Sequence, residues 1–263
     1  MPAAGAPSRL AGMNHSALAF SPASADRLPP LDLGIDERAV DDAAAARRGW
    51  RPLSIPWQPK PLHSAKSRIE VLPDGRLHCW IEHEVLRGVT PRMLAWWFAH
   101  LEGPVVHAGR RLPRYRVAHP LDHVQVRYAR RRPDGTVGVG AVIHLTAMLG
   151  GRPERLVDVH TSIVRLDDGG FAHRPRWFGL RAAAIDHRFE AAPGGTRLHS
   201  RLTIGFAGRW ARPLNALVRR FVFDLARGHA WVRHSVEEVG QLEAFLPALH
   251  AAEVGAAAEG APR

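Results

Sequence analysis

The chain predicts an α+β fold in which a curved antiparallel sheet grips a long C-terminal helix and leaves a cavity between them. Three observations predict it. Strand-like segments separated by tight turns run from Ser67 to Phe206. The connections between them are too short for the crossover helices that parallel pairing needs. A helical region then opens at Pro213 and continues through Ala251. A chain of 263 residues can bury one large core, and we read one domain over 49–251 between a mobile tail at 1–48 and a fraying end at 252–263.

Residues 1–48 are rich in Ala, Pro, Ser and Asp with little periodicity, which reads as a tail carrying one short helix over 36–48. The four prolines of 52–61, with Trp57 among them, predict an extended strap anchored on the domain by that indole. Segments 68–72 and 76–86 flank Pro73-Asp74-Gly75 and read as a hairpin. Thr90 before Pro91 marks a helix start, and 93–101 supplies its apolar run with Trp96 and Trp97, either core packing or a pocket wall. After Pro120, Val124, Val126 and Tyr128 alternate with Gln125 and Arg127 as a strand. Further strands follow over 137–149, 155–166 and 171–177, and a second hairpin pairs 182–190 with 196–206 around Pro193-Gly194-Gly195. The final helical region is expected to kink near Gly228.

Hydrophobic residues make up 46% and charged residues 23%, an ordinary globular balance, and no apolar run approaches the roughly 20 residues of a membrane span. No membrane partner is expected. The N-terminal stretch lacks the continuous apolar core of a secretory signal, so the cytoplasm is the expected compartment. The single cysteine, Cys79, excludes an intrachain disulfide and a multi-cysteine zinc site, so a metal would need His and carboxylate ligands. The formal charge of +11 raises the question of nucleic acid. The densest basic groups, Arg110-Arg111 and Arg130-Arg131-Arg132, lie beside turns without exposed aromatics to stack bases, and no nucleic-acid partner is expected.

The functional expectation centres on 227–246, RGHAWVRHSVEEVGQLEAFL. A helix there puts His234 and Glu238 on one face about one turn apart. At roughly 100° per residue Trp231, Leu242 and Phe245 fall near this pair, and Val232, Val236 and Val239 form a second stripe opposite. A helix with two apolar sides sets the His/Glu side against a cavity or an interface. There the two groups must pair with local partners or hold a metal to offset desolvation, and spacing alone leaves both readings open. His119, Asp122 and His123 cluster at a strand start, where side chains project into a cavity mouth, although turn capping by Asp122 explains part of that cluster.

Tyr115 followed by His119-Pro120-Leu121-Asp122-His123, and far downstream Gly228-His229 leading into His234-Ser235-Val236-Glu237-Glu238-Val239-Gly240 and Leu242-Glu243-Ala244-Phe245-Leu246-Pro247, resembles the 2,4-diacetylphloroglucinol hydrolase family. The resemblance spans roughly 67–250. It implies a Bet v 1-like helix-grip domain and a zinc-dependent hydrolysis of the carbon–carbon bond between an acyl group and a phenolic ring. A small aromatic or polyphenolic ketone is then the expected substrate, and a homodimer stays open as the assembly. His123, His234 and Glu238 match metal ligands of the family. Tyr115, His119 and His187 become candidates for protonating the leaving ring or holding phenolic oxygens, with a surface strand histidine as the plainer account of His187. A further metal carboxylate is implied, yet 141–149 contains no acid and the next one downstream is Glu154. Either Glu154 reaches the metal or the site has three protein ligands. The competing reading is a non-catalytic carrier of hydrophobic or aromatic small molecules.

Overall fold

The computed structural model describes residues 50–176 and 182–259. The expected tail with its short helix, and Trp177 at the end of one expected strand, lie outside the described residues.

The first hairpin forms from β1 (Lys66–Val71) and β2 (Leu77–Glu82). Its second arm is shorter than expected, and the chain rejoins the sheet only as the two-residue β3 (Leu86–Arg87). Helix α1 (Pro91–Ala99) starts where its cap chemistry says it should, with Thr90 Oγ1 accepting the Met93 N–H at 3.2 Å and Pro91 in the first turn. The sequence reading missed the next hairpin, β4 (Pro104–His107) with β5 (Arg110–Pro113), and the helical turn α2 (Arg114–Ala118). The hairpin turn is Ala108-Gly109, with φ of 49° and 72°. Alanine is an unusual residue in that conformation, so the Asn-Gly or Asp-Gly signal that announces such a turn is absent.

Six long strands follow: β6 (His123–Arg130), β7 (Val142–Met148), β8 (Leu156–Asp167), β9 (Gly170–Arg176), β10 (Ala183–Ala192) and β11 (Gly195–Ile204). β7 begins at Val142 and not at 137. The sheet is nine-stranded in the order β1-β2-β11-β10-β9-β8-β7-β6, with β3 beside β11. Every ladder is antiparallel, as the short connections require.

The helical region divides into α3 (Arg212–Phe221) and α4 (Leu225–Glu259). The break precedes the kink expected near Gly228, because Asp224 Oδ1 accepts the Arg227 N–H at 2.8 Å and starts a new helix. Gly228 instead continues α4 beside β2, where an added Cβ would make ordinary contact with Cys79 Sγ at 3.4 Å. α4 also runs on to Glu259, past the expected end at Ala251. Its 35 residues span about 52 Å across the concave face of the sheet. This is the helix-grip arrangement. The buried apolar residues of α4 divide along its length and not into the two expected stripes: Trp231, Val232 and Val236 cluster with Leu77, Cys79 and Ile81, while Val239, Leu242, Phe245 and Leu246 cluster with Leu86, Trp97 and Phe189. Burial pushes the Cys79 thiol up to about 12, which leaves it a packing residue.

The proline-rich segment lies across α4 as a strap. Gln58 N–H donates to Gln241 Oε1 at 2.9 Å, Lys60 Nζ reaches Glu243 Oε1 at 2.5 Å, and Leu53 N–H donates to the Pro120 carbonyl at 2.9 Å. Gly240 permits the crossing, since a Cβ there would run into Gln58 O and Lys60 N. The Trp57 ring is tilted against His119 at 5.2 Å. Among the described residues no helix is long and apolar enough to cross a membrane.

Candidate functional site

Sheet and helix enclose a cavity of about 320 Å³. Strand alternation sends Ile143, Leu145 and Ala147 of β7 into it, and Ile185 with His187 of β10. Phe98 of α1 stacks on Phe171 at 4.2 Å to build an aromatic wall. Trp96 and Trp97, the sequence candidates for that wall, do not line it. Trp97 is fully buried edge-on to Phe245 at 5.5 Å, and Trp96 stacks on His100 at 4.5 Å.

Among the polar groups on the cavity wall are Tyr115, His123, His234 and Glu238. His123 opens β6, and the α2 turn brings the Tyr115 carbonyl to its Nδ1 at 2.6 Å. A carbonyl only accepts, so Nδ1 carries the proton and Nε2 keeps the lone pair. The Tyr115 ring stacks on the imidazole at 3.7 Å. His234 is set in the same way. Its Nδ1 lies 2.9 Å from Asp122 Oδ2, and Asp122 is fixed by the Gly151 N–H on Oδ1 at 2.9 Å. The lone pair of His234 is therefore also on Nε2, 3.9 Å from Glu238 Oε2. One ligand atom from each of His123, His234 and Glu238 lies within 4.8 Å of the other two. Two imidazoles with Nδ1 committed and one carboxylate are a donor set suited to zinc.

An overlapping group, His119, Asp122 and His234, meets the same distance criterion. Its chemistry is different. His119 Nδ1 accepts the Asp122 N–H at 3.1 Å, so a neutral His119 carries its proton on Nε2, which ends 3.5 Å from Glu237 Oε2 and 3.8 Å from Asp122 Oδ2. His119 is fully buried, stacks on His234 at 4.4 Å and does not line the cavity. It supports the back of His234 and is not placed to protonate a bound ring. Asp122, expected in part to cap its own local turn, instead reaches across the fold, accepting the Gly151 N–H on Oδ1 and orienting His234 with Oδ2.

Charge at the centre is distributed by burial and by these contacts. Burial disfavours the His234 cation, but the hydrogen bond and charge of Asp122 outweigh it and raise the imidazole above its ordinary value. Burial pushes the Asp122 carboxyl up, and the His234 hydrogen bond and charge more than reverse that, so Asp122 stays ionised. Burial, helped by Asp122, raises Glu238 against the pull of His234. Burial drives His123 well below its usual range, with His234 and His119 adding to the effect. Burial first, then Glu238 and Asp122, holds the Tyr115 phenol protonated.

Elsewhere on the cavity wall are His173 and His187. His173 Nδ1 is 2.7 Å from Thr161 Oγ1. His187 is no surface histidine: its Nδ1 lies 2.9 Å from Ser200 Oγ, and the same hydroxyl meets His83 Nε2 at 3.0 Å. His83 Nδ1 is buried without a hydrogen-bond partner. An unpaired lone pair there costs less than an unpaired N–H, so His83 donates from Nε2 to Ser200, and Ser200 donates to His187 Nδ1. The His187 proton is then on Nε2. Burial lowers His187 to about 4 and His83 to about 3, which keeps both neutral near pH 7. The sequence reading did not single out His83, His173 or Ser200, and it named Phe98 only as part of the apolar run of α1.

Glu154 is not brought to the metal group. It is exposed in a short 3-10 turn (Pro153–Arg155), lies in neither histidine group, and its carbonyl accepts from Arg227 at 2.8 Å. Among the described residues the geometry thus brings three candidate ligands together, His123, His234 and Glu238. Glu154→Gln is expected to leave metal content and affinity unchanged by elemental analysis and titration, and a large loss of affinity would return Glu154 to the site.

No known family profile matches the chain, and no curated protein matches it in sequence. Solved structures similar to it include the KanY protein, at 10% identity over 70% of this chain and 95% of that one, with a TM-score of 0.42. A second is protein Ms6760 from Mycobacterium smegmatis, at 14% identity over 70% of this chain and 98% of that one, TM-score 0.42. A third is a START superfamily protein from Mycobacterium smegmatis, at 11% identity over 61% of this chain and 97% of that one, TM-score 0.35. Likenesses this distant carry no argument about ligand or reaction, which rest on the chain's own residues.

Proposed function

We propose that this chain is a zinc-dependent hydrolase that cleaves the carbon–carbon bond between an acyl group and the phenolic ring of a small polyphenolic ketone. The observation that carries the reading is the convergence of His123, His234 and Glu238 on the wall of a largely apolar cavity, each imidazole with its Nδ1 proton already committed. The reaction class comes from the family resemblance of the two sequence blocks that supply these residues. A zinc ion held by the three would supply a Lewis acid able to polarise a carbonyl and acidify a water near neutral pH.

The chain's own groups account for recognition. Phe98 and Phe171 offer an aromatic face to a ring, and a cavity of about 320 Å³ is at the small end for organic ligands. Tyr115 keeps its O–H and neutral His187 its Nε2–H, so both present donors to ketone or phenolic oxygens. His234 is held in one tautomer and orientation by Asp122, which fixes where its lone pair points.

The mostly apolar lining equally suits a carrier, and one experiment separates the two. Incubation with acylated phloroglucinols is expected to release a short carboxylic acid and the deacylated ring, seen by chromatography, with chelation stopping release and added zinc restoring it. Stoichiometric binding of the same phenols that chelation leaves unchanged, with nothing released, would assign the cavity to carriage.

A further inference from the structure

The segment before α4 is apolar on a side that the fold does not cover. Trp210 is 76% exposed, Leu217 55% and Phe221 70%, with Leu214 and Leu225 exposed beside them. At roughly 100° per residue Leu214, Leu217 and Phe221 fall within about 60° of one another on α3. Trp210, on the 3-10 turn Arg209–Ala211, extends the stripe at one end. The same apolar arc continues inward: Val218, about 40° from Leu214, lines the cavity with Val222 and Phe223. The domain covers that edge of the arc and leaves Leu214, Leu217 and Phe221 to solvent.

The charges around the stripe decide what would cover it. Arg209, Arg212 and Arg220 are exposed on the same segment, and the Arg220 guanidinium lies 5.5 Å from the centre of the Phe221 ring. Asp224 is the only acid in 205–227, and it caps α4. Two copies meeting through this face would oppose like-charged arginines. An anionic bilayer takes both parts: tryptophan, phenylalanine and leucine enter the acyl boundary while arginine reaches headgroup phosphates. We infer that α3 and the turn before it dock the protein on an anionic lipid surface. The expectation of no membrane partner rested on the lack of a spanning run, and a helix lying in the interface needs none. Docking would set the Val218, Val222 and Phe223 side of the cavity beside the bilayer, a source of apolar ligands whatever reaction follows, so the inference does not rest on the hydrolase reading.

The full chain should co-sediment with vesicles of phosphatidylcholine and phosphatidylserine, weakly or not at all with phosphatidylcholine alone, and less as salt rises. The combined variant Trp210→Ser, Leu217→Ser, Phe221→Ser should lower vesicle affinity by about tenfold or more, with unchanged far-UV circular dichroism and melting temperature, since these side chains are outside the core. Failure to bind phosphatidylserine vesicles, or equal binding by wild type and variant, overturns the inference. A wild-type dimer that fails to bind vesicles and that the variant disperses assigns the face to a second copy of the chain instead.

Discussion

If the proposed zinc site is right, replacing His234 with alanine is expected to yield purified protein without bound zinc, and to reduce release of carboxylic acid from acylated phenols below detection. The substitution removes one of three candidate ligand atoms that lie within 4.8 Å of one another, and among the described residues no fourth group joins these three. The fold should survive at a cost. Asp122 is 1% exposed and loses its partner on Oδ2, although the Gly151 N–H still holds Oδ1. Leaving that acceptor unpaired costs on the order of 1–3 kcal/mol. Val232, Val236 and Val239 still pack α4 on the sheet. Asp122→Asn tests the same centre from behind, because it keeps the shape and loses the charge that orients His234. It should weaken metal affinity by about 10–100-fold without abolishing binding. Full zinc content in His234→Ala, with a cooperative melting transition, would remove His234 from the ligand set.

What could be read from the sequence was what short-range chemistry decides. Thr90 with Pro91 announces α1 through its cap, and strand alternation with short turns announces the antiparallel sheet. The i, i+4 spacing places His234 and Glu238 on one helical face without reference to anything else in the chain. The errors share a cause as well. Gly228 is a more conspicuous helix breaker than Asp224, but its place against Cys79 is a tertiary fact. Trp96, Trp97 and Phe98 point about 100° apart from one residue to the next, so naming the cavity wall required the orientation of α1. Glu154 follows the turn at Gly150-Gly151, where φ values of 69° and 65° redirect the chain in a way that sequence distance does not encode. The contact of His83 and His187 with Ser200 depends on strand register across β2, β11 and β10, which no local pattern prints. The exposed side of α3 was not read from the sequence for the same reason: which of its apolar residues the domain covers is set by how α3 packs.

That buried histidine network predicts a fold that weakens in mild acid. Burial lowers His83 to about 3 and His187 to about 4, against ordinary values near 6.5. Burial also takes His173 well below its usual range. Because the folded pKa values lie below the unfolded ones, the unfolded chain takes up protons first. This contribution to stability is complete above pH 6.5 and is lost as pH falls toward about 4 for His187 and about 3 for His83. His234 acts in the opposite sense, since its raised value favours the folded state below pH 6.5, and it offsets part of the loss. By pH 5 the loss from His83 and His187 is on the order of 2 kcal/mol each, a large share of the roughly 5–15 kcal/mol that holds a domain folded. The hydrogen bonding acts in the same direction, because Ser200 donates its proton to His187 Nδ1, and protonating that nitrogen would set an N–H against an O–H. The urea midpoint measured in steps from pH 7.5 to 5 should therefore fall, in a range above the ordinary carboxylate values. In His187→Gln the pH slope of stability near pH 5 should shrink by about one proton. A midpoint that stays level over this range in the wild-type chain would show that the two imidazoles titrate alike folded and unfolded, and would remove the buried neutral relay from the cavity wall.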